Sequence, residues 1–169
     1  MRDHHATEAM LAQSGLAWTS LRNGFYSASG IALMGEHWQS GTFQAPADGK
    51  VSWTAHADLA EAAAVLLATP APGDGPTSPL TGSEALDLAD LAAIASSLLG
   101  RPVARETIAD EDLRARMVSR GAERAIPVVL GLYRASRDGE FERIDPTLAQ
   151  LLGRAPVTMR DLLAQQLRT

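Results

Sequence analysis

A helix, a glycine, an apolar strand and a polar turn follow one another within the first 26 residues, and this single αβ step limits the folds open to the chain. From Asp3 to Ser14 the apolar positions Ala6, Met10 and Leu11 fall at helical spacing, Glu8 and Gln13 lie off that face, and Gly15 is placed as a C-terminal stop. Leu16 to Leu21, with Trp18 and the Thr19-Ser20 pair between, reads as a buried strand. It ends in the polar turn Arg22-Asn23-Gly24. Such a step belongs to a parallel sheet. Open α/β sheets bind ligands just beyond the carboxyl ends of their strands, so Arg22, Asn23, Phe25 and Tyr26 are expected at a crevice.

The remaining pattern keeps this α/β reading and adds a helical C-terminal half. Ser27 to Trp38 is expected to be helical. Thr42–Ala45 and Lys50–Thr54 are expected to form a hairpin-like pair around the Asp48-Gly49 turn. Asp58 is read as the N-cap of a helix, with Glu61 three residues on as in a capping box and an end near Thr69. Pro70 to Pro76 reads as a loop followed by an extended run from Thr77 to Thr81. A second strong helix is then capped by Ser83 or Asp87 and stopped by Gly100. Val103 to Ile108 is expected as a strand, and Asp110–Arg120 and Ala125–Ser136 as helices. Two short helices follow, behind Asp145 and Thr158.

At 169 residues the chain fits one domain with a substantial core. Its net charge of -5, with one lysine and fourteen arginines scattered among twenty acids, excludes a nucleic-acid surface. No apolar run reaches the roughly 20 residues of a membrane span. The opening MRDHHATE lacks the pattern of a signal peptide, so a cytoplasmic location is expected. Without cysteine there are no disulfides and no thiolate chemistry. His4 and His5 are adjacent and so face apart on a helix, with no third ligand evident, and no metal is expected. Neither GxSxG nor a P-loop occurs.

Four stretches in order, HHATEAMLAQSGLAWTSLRNGFY, DGKVSWTAHADLAEAAA, LTGSEALDLADLA and DPTLAQLLGRAPVTMRDLL, resemble the C-terminal portion of the NmrA-like atypical short-chain dehydrogenases. Within that family the resemblance is closest to the type-2 NAD(P)H:quinone oxidoreductases. It implies an α/β chain that is the C-terminal part of an NAD(P)-binding Rossmann-like fold. Residues 1–82 would supply late strands and helices of the sheet with an inserted hairpin, and 83–169 a mostly helical substrate-side lobe. The family's glycine-rich GxxGxxG turn, which receives the pyrophosphate at a helix N-terminus, does not occur in this sequence. The resemblance therefore implies an N-terminally truncated member that binds NADP or NAD weakly, or not at all, on its own.

Carried over position by position, the resemblance puts Leu21, Arg22, Asn23, Gly24, Phe25 and Tyr26 at the loop approaching the nicotinamide. Asn23 would be the polar contact, and Phe25 and Tyr26 flat faces for a nicotinamide or quinone ring. Asn23 also reads as a turn residue before Gly24, and Tyr26 as a packing aromatic. His4 stands where relatives carry a cofactor-holding lysine, or else belongs to a frayed terminus. Asp58 is explained by its cap role. Neither Tyr26 nor Tyr133 has a lysine four residues later, so no side-chain acid–base pair is identified. The implied function is quinone reduction by hydride transfer in a full-length form. The alternatives are a non-catalytic dinucleotide-sensing or interaction module and an inactive fragment. A homodimer, or the missing N-terminal half, is the expected partner, because the strand edge at Leu16–Leu21 would otherwise stay open.

Overall fold

The computed structural model describes residues 2–35, 38–69 and 75–168. Helix α1 (Arg2–Gln13) leads to a strand far shorter than expected. Only Thr19–Ser20 (β1) is laddered, in parallel with Gly75–Pro76 (β3), and Leu16 lies exposed. The apolar content of Leu16–Leu21 is thus not the signature of a strand covered on both faces. After α2 (Ser27–Met34), Gly35 adopts a φ of 78° and stops the helix four residues before Trp38, which falls in a separate 3₁₀ turn, Trp38–Ser40.

The expected hairpin is absent. Thr42–Pro46 (β2) pairs in parallel with Ala104–Ile108 (β4) over five residues, and Lys50–Thr54 contributes only isolated bridges, Val51 to Leu86 and Thr54 to Tyr26. Asp48-Gly49 does not close a tight reversal. Gly49 is instead needed for close approach, since a Cβ there would lie 2.1 Å from the Ser136 carbonyl oxygen. The expected loop Pro70–Pro76 lies outside the described residues up to position 74.

Helix α3 (His56–Ala68) begins two residues before Asp58, with Ala55 as its cap. In α4 (Leu88–Leu99) the caps follow the sequence pattern. The Asp87 and Asp90 carboxylates each accept the other's backbone N–H, and Gly100 closes the helix at φ 65°. The polar α5 (Asp110–Ser119), a 3₁₀ turn at Glu123–Ala125, and α6 (Ile126–Arg137), with proline in its first turn, then lead to α7 (Thr147–Leu152) and α8 (Met159–Gln166). Thr158 and Asp161 form the reciprocal cap of α8.

The main core gathers Met34, Trp38, Phe43, Trp53, Leu91, Tyr133 and Leu163, joining α2, β2, α4, α6 and α8. A smaller cluster of Leu59, Ala62, Leu80 and Leu148 joins α3 to α7. Asp48 sits at the edge of the main core, 2.8 Å from Arg105 and accepting the Leu88 N–H. Burial nevertheless pushes its carboxyl above the usual range. Among the described residues no helix is long and apolar enough to cross a membrane.

Candidate functional site

Backbone bonding fixes the stretch from Leu21 to Tyr26 between two other extended segments. The Arg22 carbonyl accepts the Leu80 N–H at 2.9 Å, and the Gly24 N–H returns to the Leu80 carbonyl at 2.8 Å. The strand then moves to a second neighbour. Phe25 C=O accepts the Thr54 N–H at 2.8 Å, and the Ser27 N–H donates to Thr54 C=O at 3.0 Å. Asn23 and Tyr26 therefore sit in parallel bridges, and the expected turn at Arg22-Asn23-Gly24 is reduced to one tight bond, from the Asn23 N–H to the Leu21 carbonyl at 3.0 Å, after which the strip runs on beside Leu80 and Thr54. Gly24 is required by space: a Cβ would come within 2.5 Å of Thr54 Oγ1 and 2.7 Å of the Leu80 carbonyl oxygen.

The side chains of this strip diverge. Arg22 reaches α1, with Nε 3.0 Å from Glu8 Oε1 and Nη2 2.7 Å from Oε2, while Ser20 Oγ also donates to Glu8. That guanidinium pulls the Glu8 carboxyl down to about 2, and the pairing raises Arg22 in turn. His4 is exposed on the same helix, one turn before Glu8. Leu21 packs on the small core cluster, and Asn23 is exposed. Phe25 turns inward, stacked on Phe141 at 4.9 Å and edge-on to Trp53 at 5.6 Å, so its faces serve the core. Tyr26 stays outside, 41% exposed, with its ring 4.3 Å from that of His56.

Beyond Tyr26 opens a groove of about 440 Å3. The first turns of α2 (Ser27, Ala28) and α3 (Ala55, His56, Ala57) form one side, and α8 with Val157 the other. The amino ends of two helices therefore border it, each with a partial positive charge. The opposite wall is held by Asp58. This carboxylate is fully buried inside the first turn of α3, accepting the Val157 N–H at 2.7 Å and an Arg154 N–H at 2.8 Å. Arg154 also pairs with Glu61, and the two carboxylates raise its pKa, Glu61 contributing most. Asp58 is therefore a cross-link rather than a cap.

The groove has no counterpart in the sequence pattern, because Val157 and α8 lie about a hundred residues from Asp58. The one local signal was His56, a polar aromatic side chain at the start of the α3 helix. Among the described residues no group of three or more histidines, aspartates or glutamates is disposed to hold a metal ion.

No family model matches the chain. It is similar to quinone oxidoreductase 2 of Escherichia coli (strain K12), 33% identical over 162 residues that make up 94% of this chain and 56% of that protein. An NmrA-like family domain-containing oxidoreductase of Aspergillus flavus is 28% identical, across 98% of this chain and 55% of the relative. Among solved structures, that of the NADPH-dependent quinone oxidoreductase QOR2 from Escherichia coli complexed with NADPH superimposes with a TM-score of 0.82 at 28% identity. The match covers 98% of this chain and 59% of that one. The chain thus spans about half the length of the curated relatives it matches.

Proposed function

We propose, from the premise that this chain is homologous to the NmrA-like, quinone oxidoreductase 2 family, that it is the nicotinamide-side and substrate-side portion of an NAD(P)H-dependent reductase acting on quinones. The observation that carries this reading is that the strip ends at the groove: the Tyr26 ring lies 4.3 Å from that of His56, and Ser27, the next residue, lines the groove with it. The residues fit the ring end of a nicotinamide dinucleotide. Asn23 offers an exposed amide able to donate and accept. Tyr26 offers an exposed ring. Arg22 and His4 stand on the α1 side, as a cation and an imidazole for the ribose end. Arg22 is partly neutralised by Glu8. The pyrophosphate end has no glycine-rich turn in this sequence. When bound, the dinucleotide supplies a hydride; the chain orients the ring and excludes water from the groove.

The test has two parts. Calorimetric titration of the chain with NADPH is expected to give an affinity weaker than micromolar, because helix-terminus contacts to the pyrophosphate are missing. At saturating NADPH a simple quinone is expected to be reduced, and Asn23→Ala to lower that rate by about one to two orders of magnitude through misplacement of the ring. That neither Tyr26 nor Tyr133 has a lysine four residues later to form a proton-transfer pair favours a second reading, a dinucleotide-sensing module. Binding of NADPH without turnover of any quinone would select it.

A further inference from the structure

We infer that His56 receives the oxygen of a planar quinone-class substrate in the groove and hands it a proton as the ring is reduced. This inference rests on the reductase reading above. His56 is the one ionisable side chain among the described residues that line the groove. Its ring is packed against Tyr26 at 4.3 Å, which limits the directions its nitrogens can face. It also lies in the first turn of α3, a 13-residue helix whose amino end favours negative charge close by. The lining is apolar at Ile31, Val157 and Leu162, which suits a flat ring, with the amide of Gln165 beside it.

The chemistry requires such a group. A hydride from the reduced dinucleotide brings a quinone two electrons and one hydrogen, the dinucleotide leaves oxidised, and the ring is left with an oxyanion. One proton completes the hydroquinone. The His56 N–H bond breaks, an O–H bond forms on the ring, and the imidazolium becomes a neutral imidazole that regains its proton from water. Histidine suits this exchange because an imidazole nitrogen can both give and regain a proton, and a positioned general acid contributes roughly 10²–10⁴ in rate.

The experiment uses 4-nitrophenolate as a stand-in for the oxyanion and follows the histidine ring signals of the 169-residue chain by NMR. The His56 signals are identified by their loss in His56→Gln. A saturable shift confined to His56 is expected, with affinity about tenfold weaker in His56→Gln and unchanged in His5→Gln. His56→Lys, which keeps a cationic donor at the same place, should retain part of the affinity and shows whether the charge or the fold was lost. Quinone turnover at saturating NADPH should fall about a hundredfold in His56→Gln. Turnover and phenolate binding both unaltered in His56→Gln would overturn the inference and leave the reductase reading standing. Phenolate seated on His56 without turnover of any quinone would support the oxyanion site and remove the reductase reading.

Discussion

A methyl group added at Gly24 meets Thr54 Oγ1 and the Leu80 carbonyl at once; the carbonyl cannot withdraw without losing its bond from the Gly24 N–H, nor Oγ1 without losing those to the Ser52 carbonyl and from the Gly82 N–H. Gly24→Ala should therefore destabilise the chain by about 1–3 kcal/mol, the usual cost of overpacking. Denaturant unfolding checks this, and an unchanged midpoint would mean that the strip is not threaded as described. Asp58 gives a second residue-scale prediction with a sign that can be read. Removing Arg154 leaves a fully buried carboxylate with one backbone donor, whereas Asp58→Asn keeps an acceptor for Val157 and leaves Arg154, half-exposed, still paired with Glu61. Arg154→Ala should cost about 2 kcal/mol or more and Asp58→Asn less, because an uncompensated buried charge is the worse defect. The reverse order would place the main contribution in the hydrogen bond to Val157. Both residues were visible in the sequence as constrained, but for the wrong reason. Gly24 read as a turn glycine and Asp58 as a cap, because a single sequence shows local partners, and those that matter lie 56 and 96 residues away.

Among the elements, α1 shows how a polar helix is kept on the fold. Its apolar face is weak, and the tie to the strip is Glu8 with Arg22 and Ser20. In the folded chain Glu8 holds its charge down to about 2, against an ordinary value of 4.5. Its folded value is depressed, so the stabilisation is complete above pH 4.5 and is lost as the pH falls from there toward 2. Hydrogen exchange should show α1 losing protection across that window ahead of α4. Glu8→Gln should abolish the pH dependence while lowering protection at neutral pH. An α1 equally protected in both variants at pH 6 would show that packing, not the ion pair, holds the helix. The elements that were legible are those with local chemistry: the reciprocal caps of α4 and α8, proline in the first turn of α6, and Gly100 and Gly153 at left-handed stops. The hairpin was misread because Asp-Gly is a local turn signal, whereas the β2–β4 pairing is decided by the α4 crossover between them.

At the scale of the whole molecule, the described strands form two separate two-stranded parallel ladders, so each strand is hydrogen-bonded to a laddered partner on one side only. Parallel sheets are normally covered and several strands wide. Beside the β1–β3 pair, the chain leaves Met10 65%, Leu16 68% and Leu67 87% exposed, on α1, before β1 and in the last turn of α3. Open strand edges and exposed apolar side chains both favour association. The relatives that match are nearly twice as long. For this chain alone, the expected outcome is a concentration-dependent dimer formed through the exposed apolar side chains around Leu16, two-fold because the same patch serves both copies. Sedimentation velocity in the low micromolar range measures it. Leu16→Lys, which puts a charge in that patch at a position already in water, should shift the population to monomer without lowering the unfolding midpoint. A monomer in both variants at every concentration would mean that this patch does not drive pairing, and that the exposed leucines are tolerated singly.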